Sequence, residues 1–122
     1  MSGRTKAAEV AVTAGTNEVL IGGRVSAAPE ERELPSGDVV WNFRVIVDRP
    51  PGRRPSRVTV DVVDCAVWGG RARRTVRGLR PGDQVEVRGA LRRRFFRAAA
   101  GAASRVEVEV AQVRIIRRAG SA

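Results

Sequence analysis

Apolar and polar residues alternate along most of this chain, and the alternation sets out its elements. In VVWNFRVIVD, residues 39–48, Trp41, Phe43, Val45 and Val47 share one face, while Asn42, Arg44 and Asp48 share the other with Ile46. Residues 58–68 (VTVDVVDCAVW) repeat the pattern, with Val63, Cys65 and Val67 opposite Val62, Asp64, Ala66 and Trp68. Residues 83–97 predict a long strand bent at Gly89. Val85, Val87, Gly89 and Leu91 face inward, and Arg88, Arg92, Arg94 and Phe96 face outward. RVEVEVAQVRII, residues 105–116, alternates as the last strand. The short run EVLIGGRV, 18–25, contains Gly22 and Gly23 and predicts a strand with a bulge or a close backbone approach. One stretch has another period. Ala72, Val76 and Leu79 lie at i, i+4 and i+7, so 71–79 predicts a short helix, ended by Gly78 and the Pro81-Gly82 pair.

Breakers separate these segments. Residues 1–16 are expected to form a flexible tail and 118–122 a short one. APEERELPSGD, 28–38, predicts a turn-rich link, RPPGRRPSR, 49–57, a basic loop, and AAAGAAS, 98–104, a small-residue loop. The predicted order is three strands, one helix and two strands, all within residues 17–117. That order predicts an all-β, five-stranded OB-fold barrel of Greek-key type, with its helix between the third and fourth strands. A five-stranded sandwich fragment competes with it, and the position of the helix favours the barrel.

Composition narrows the chemistry. Hydrophobic residues make up 43% of the 122, enough for one modest core. No apolar run approaches the roughly 20 residues that span a bilayer, and the N-terminus lacks the apolar centre of a secretory signal. A cytoplasmic, nucleoid-associated location is therefore expected. The single cysteine, Cys65, allows no intrachain disulfide. The chain has no histidine, no P-loop and no GxGxxG, so the usual zinc sites and histidine-based catalysis lack their residues. A binding protein without cofactor or metal is expected, not an enzyme. Basic residues number 23 against 13 acidic ones, a net charge of +10, and only Lys6 among them is lysine. The excess points to a polyanion, nucleic acid ahead of a membrane.

Two features give that partner a place. Trp68 ends its strand on the face opposite the core residues. Arg92-x-Arg94-x-Phe96 sets two guanidinium groups and a ring along one strand face at steps of about 7 Å. Rings stack on bases of any kind while cations hold the phosphates, which is how single strands are bound with little sequence preference. The plain alternatives are a subunit or loop contact for Trp68 and a solvated basic edge for LRRRFFR. Arg44, Arg71, Arg53 and Arg54 complete the candidates read from position and charge.

These segments resemble the bacterial single-stranded DNA-binding protein family over about residues 17–116. NEVLIGGRV, LPSGDVVWNF, DCAVWGG, LRPGDQVEVRGALRRRFF and VEVEVAQVRII follow in the family's order. The resemblance implies stacking roles for Trp68 and Phe96, backbone contacts for Arg92 and Arg94, and a basic role for Arg80 before the Gly-Asp turn. It also implies barrel-shaping glycines at Gly22 and Gly89, a buried Cys65 and a homotetramer, with a dimer as the alternative. The chain departs from the family at Val62, where an aromatic stacker is common, and at Asp64, where Arg or Asn is usual. Asp64 would repel phosphate unless an arginine pairs with it. The sequence ends at RRAGSA and not in the long acidic-tipped tail usual in the family, so it resembles a short form, and partners recruited through such a tail are not expected. The implied function is sequence-tolerant single-stranded DNA binding in replication, recombination or repair. The alternatives are a primosomal-type dimer that binds single strands weakly and docks on a replication protein, or an OB subunit of an RNA or protein assembly.

Overall fold

The computed structural model describes residues 15–52 and 57–120. Six strands and one helix follow in order: β1 (Val19–Val25), β2 (Glu30–Glu33), β3 (Val39–Asp48), β4 (Val60–Val67), α1 (Arg71–Arg77), β5 (Gln84–Ala98) and β6 (Gly101–Arg117). The sheet order is β1-β5-β6-β4-β3-β2, and a further pairing of β1 with β3 closes the first five into a barrel. β4 and β6 run parallel; every other pair is antiparallel. This is the OB-fold the alternation predicts, with the helix between its third and fourth barrel strands.

Valine dominates the interior. Val25, Val45, Val67, Val85, Val87 and Val108 are almost fully buried, with Phe43 and Cys65 among them. β-branched side chains suit a small, strongly twisted barrel, because they fill a pleated surface with little rotamer freedom to lose. Ala72, Val76 and Leu79 are buried at the helical spacing expected. Trp41 is half-buried and packs on this core, and its indole Nε1 finds no acceptor among the described residues.

β2 lies inside the segment expected to be a link. Its four residues, EERE, are all exposed, so no hydrophobic alternation marks them. Backbone pairing alone builds the strand, from Glu30 opposite Asn42 to Glu33 opposite Val39. The turn that returns to β3 is closed by bonds from the Leu34 amide to the Asp38 carbonyl and from the Gly37 amide to the Leu34 carbonyl, each 2.8 Å. The expected loop at 98–104 shrinks to Ala99-Ala100, because β5 and β6 stay paired up to Ala98 and Gly101. Gly101, at φ +118°, takes the backbone conformation that lets so tight a turn rejoin the strand.

Two further expectations are corrected. Gly23, not Gly22, is the tight glycine of β1: a Cβ there would lie 2.2 Å from the Ile46 carbonyl oxygen, where β1 swings across to close on β3. A Cβ on Gly22 meets nothing nearer than 4.0 Å. Gly89 is as tight as expected, with the Glu109 carbonyl oxygen 2.1 Å from a Cβ. Leu91 does not point into the core and is 48% exposed. β1 pairs with β5 only as far as Gly89, so Leu91 lies past the end of β1, and beyond the Cys65–Val108 pairing the β5–β6 hairpin projects as a two-stranded arm. Toward the tip of the arm both faces meet solvent, and Phe95, Phe96 and Val106 are exposed as well. The Asn17 side chain brackets the root of the arm. Its amide donates to the Leu91 carbonyl and its oxygen accepts from the Leu91 amide, both at 2.8 Å.

The other end of β5 is locked by Asp83. Its carboxylate is fully buried and accepts hydrogen bonds from the Arg80 amide (2.8 Å), the Ala119 amide (2.7 Å) and the Arg118 guanidinium (2.9 Å). Burial alone would raise its pKa. The bonds from Ala119, Arg80 and Arg118 outweigh that and hold the carboxyl below its ordinary value.

Candidate nucleic-acid interface

Strand register assembles one outer face from four strands. Arg44 of β3 lies opposite Asp64 of β4. Ala66 of β4 lies beside Glu109 of β6. Across to β5, Glu109 faces Ala90, Glu107 faces Arg92, Arg105 faces Arg94 and Ala103 faces Phe96. Trp68 follows β4 onto the same face. There the Arg94 guanidinium carbon stands 4.8 Å from the Trp68 ring centre, and that of Arg105 stands 5.8 Å from the Phe96 ring centre. Both distances are within cation–π range. Trp68 is 36% and Phe96 46% exposed, so each ring keeps open surface.

Carboxylates run through this face. Arg44 meets Asp64 at 2.8 Å, the pairing that Asp64 needs if it is not to stand alone among the basic groups. Arg92 meets Glu109 at 3.1 Å, and Arg94 meets both Glu107 and Glu109 at 3.4 Å. Glu107 is buried beneath Arg94. Asp64 and Glu107 also bear on Cys65. Burial first, and then these two negative charges, push the thiol up to about 12, so at neutral pH Cys65 is an unreactive core group. A groove of about 500 Å³ opens beside the Arg44–Asp64 pair, between the chain leading into β2 and the strand face, with Asn42, Arg105 and Glu107 in its wall. Val62, where the family commonly has a stacker, is 56% exposed on the same side of β4 as Asp64.

Trp68, Phe96, Arg92, Arg94 and Arg44 thus come together on one surface. Arg71 begins α1 three positions beyond Trp68 and is exposed. Arg80 does not join them. It sits in the turn before β5, at the far end of that strand from Phe96, and its amide belongs to the Asp83 lock. Arg53 and Arg54 lie outside the described residues. Sequence reasoning missed Arg105, Glu107 and Glu109. The signal was present: in RVEVEV the alternate positions are all charged, so they had to share the outer face. Among the described residues no group of His, Cys, Asp or Glu is placed to hold a metal ion, and no helix is long and apolar enough to cross a membrane.

Comparison with known proteins agrees with this architecture. Residues 16–116 match the single-strand binding protein family. The single-stranded DNA-binding protein of Mycobacterium tuberculosis is 34% identical over 106 residues, which cover 82% of this chain and 64% of that protein. Those of Oceanobacillus iheyensis and Halalkalibacterium halodurans are 30% and 31% identical over 80 residues, 66% of this chain in each case. The chain spans about half the length of these last two, 50% and 48%. The family match alone covers well over half of the chain, so this chain belongs to the single-strand binding protein family.

Proposed function

We propose that this protein binds single-stranded DNA with little sequence preference, stacking bases on Trp68 and Phe96 while arginines of the same face hold the backbone. The observation that carries the reading is the pair of exposed rings on one strand face, each with a guanidinium over it. A guanidinium plane occupies the place a base would take. A base arriving at Trp68 displaces Arg94, which is then free to turn to a phosphate. Stacking asks only for a π-face, so every base qualifies. Family membership supports the same ligand, and with it a homo-oligomer, most simply a tetramer, in the cytoplasm near the nucleoid, acting in replication, recombination or repair. Nothing in this scheme needs catalysis.

Tryptophan fluorescence during titration with oligo-dT tests the reading. Trp68 is the reporter, and half-buried Trp41 supplies a constant background. Quenching that survives about 0.3 M salt supports stacking, because phosphate attraction alone fades there. Quenching that vanishes at modest salt would leave only a nonspecific basic surface.

A further inference from the structure

Of the four arginines described on the stacking face, Arg44, Arg92 and Arg94 are each tied to a carboxylate, and Arg105 stands over the Phe96 ring. The four arginines of α1 have no such tie. Arg71, Arg73, Arg74 and Arg77 have no acidic partner among the described residues, and no acidic residue stands in the first turn of the helix. Arg71, Arg74 and Arg77 are exposed at every third position, and exposed Arg80 continues the interval beyond the helix end.

This arrangement works against the helix that carries it. α1 has seven residues, Gly70 at its N-terminus and no side-chain cap. So short a helix is held by docking Ala72 and Val76, not by its own hydrogen bonds. Arg71 opposes the helix dipole at the N-terminal end. Arg71–Arg74, Arg74–Arg77 and Arg73–Arg77 are like charges one turn apart, which weaken a helix. Acidic residues at one or two of these positions would stabilise it. Their absence leaves a positive surface that no carboxylate among the described residues neutralises.

The surface also leads directly from the ring. Trp68 is followed by Gly69 and Gly70, and a Cβ on either would meet nothing within 4 Å. Gly70 needs to be glycine for its φ of +76°; Gly69 has no such need. A bare saddle therefore joins Trp68 to α1, and Arg71 to Arg77 extend it by about 9 Å of helix axis.

We propose that α1 is a phosphate track: the backbone of a single strand stacked at Trp68 passes over the Gly69-Gly70 saddle and lies along Arg71, Arg74 and Arg77. The inference rests on the single-strand reading above and redistributes its charges. The bases go to the ion-paired face, and most of the counterion release comes from the helix.

The test is fluorescence anisotropy of labelled oligo-dT with the full chain, from about 50 to about 300 mM salt. Three neutralised phosphates contribute about 2 to the log–log salt slope. The triple variant Arg71→Gln, Arg74→Gln, Arg77→Gln should lose that much slope, yet reach the same tryptophan quenching at saturation. Its melting temperature should hold or rise, since like-charge pairs are removed, and an Arg→Lys triple should restore the slope. The variant Arg24→Gln, Arg49→Gln, Arg114→Gln removes the same net charge from ion-paired positions and should leave the slope unchanged. An unchanged slope in the α1 variant, or an equal loss in the ion-paired one, overturns the track. Absence of quenching in the unmodified protein, with its slope intact, would instead defeat the stacking reading.

Discussion

β5 begins and ends in arginine–carboxylate pairs, and the two ends use them differently. Before its first residue, Asp83 is fully buried and takes Arg118 at 2.9 Å together with two backbone amides. Toward its last residues, Arg92 and Arg94 meet Glu109 at 3.1–3.4 Å on an open face, with the buried Glu107 beneath Arg94 at 3.4 Å. The buried acid has no alternative partner, and breaking its bonds leaves two backbone amides without their acceptor. The open pairs can exchange, because a phosphate or water can replace either member. Accessibility, and not the presence of a salt bridge, decides which arginines can serve a ligand.

The largest effect should come from the buried end. Asp83→Ala leaves the Arg80 and Ala119 amides unpaired, while Arg118 turns to solvent. The expected cost is about 2–4 kcal/mol of stability, read by chemical denaturation. Single-strand affinity of the variant that remains folded should be near that of the parent. A cost below about 0.5 kcal/mol would mean that water replaces the carboxylate, and the contrast between the ends would fail. The same group sets a pH dependence. Its folded pKa lies below the ordinary value of 3.8, so its contribution is full above that value and is lost as pH falls through the lower, folded one. Acid unfolding below about pH 4 should therefore be shallower in Asp83→Asn than in the parent.

Next in size are the rings. Trp68→Ala and Phe96→Ala should each weaken oligo-dT binding by about 1–3 kcal/mol, roughly 5- to 150-fold, the range drawn from single-strand-binding OB-folds. Melting temperatures should barely move, since both side chains lie outside the core cluster. Val62→Trp sharpens the point. The position is exposed on the side of Asp64, and a ring there should gain about 1 kcal/mol of binding at little cost to the fold. If neither alanine variant weakens binding, the open end of β5 is not the ligand face.

How much of this was legible beforehand follows from what leaves a trace in side-chain order. The barrel strands and the helix announce themselves through periods of 2 and 3.6, because each buries one face. β2 does not, since EERE buries nothing and is held by backbone pairing to β3. Leu91 misled because alternation tells which face a residue shares, but not where the neighbouring strand stops. Gly23 and Gly22 are adjacent and alike in sequence; only the crossing of Ile46 over one of them separates the two. At the site, Trp68 and Phe96 could be read from their own strands. The ion pairs join β3 to β4 and β5 to β6, so they depend on register, which fixes partners only once the barrel closes.

The smallest effect carries the sharpest test of the exchange idea. Glu107→Gln with Glu109→Gln removes both acids that hold Arg92 and Arg94 but keeps side chains of the same shape. The exposed pairs with Glu109 are worth about 0.2–1 kcal/mol each, and that is the least a phosphate must overcome to claim each arginine. Glu107, buried beneath Arg94, adds to the hold on that one. Releasing them should tighten oligo-dT binding by about two- to thirtyfold. The salt slope should steepen by up to about 1.4, as two more guanidinium groups begin to count. Cys65 offers an internal control, because loss of the nearby Glu107 charge should lower its thiol pKa and leave it buried. Weaker binding in the double variant would mean the opposite role for the acids. They would then be struts that hold Arg94 over Trp68 and Arg92 beside it in the geometry the strand requires, and the open end of β5 would be as fixed as the buried one.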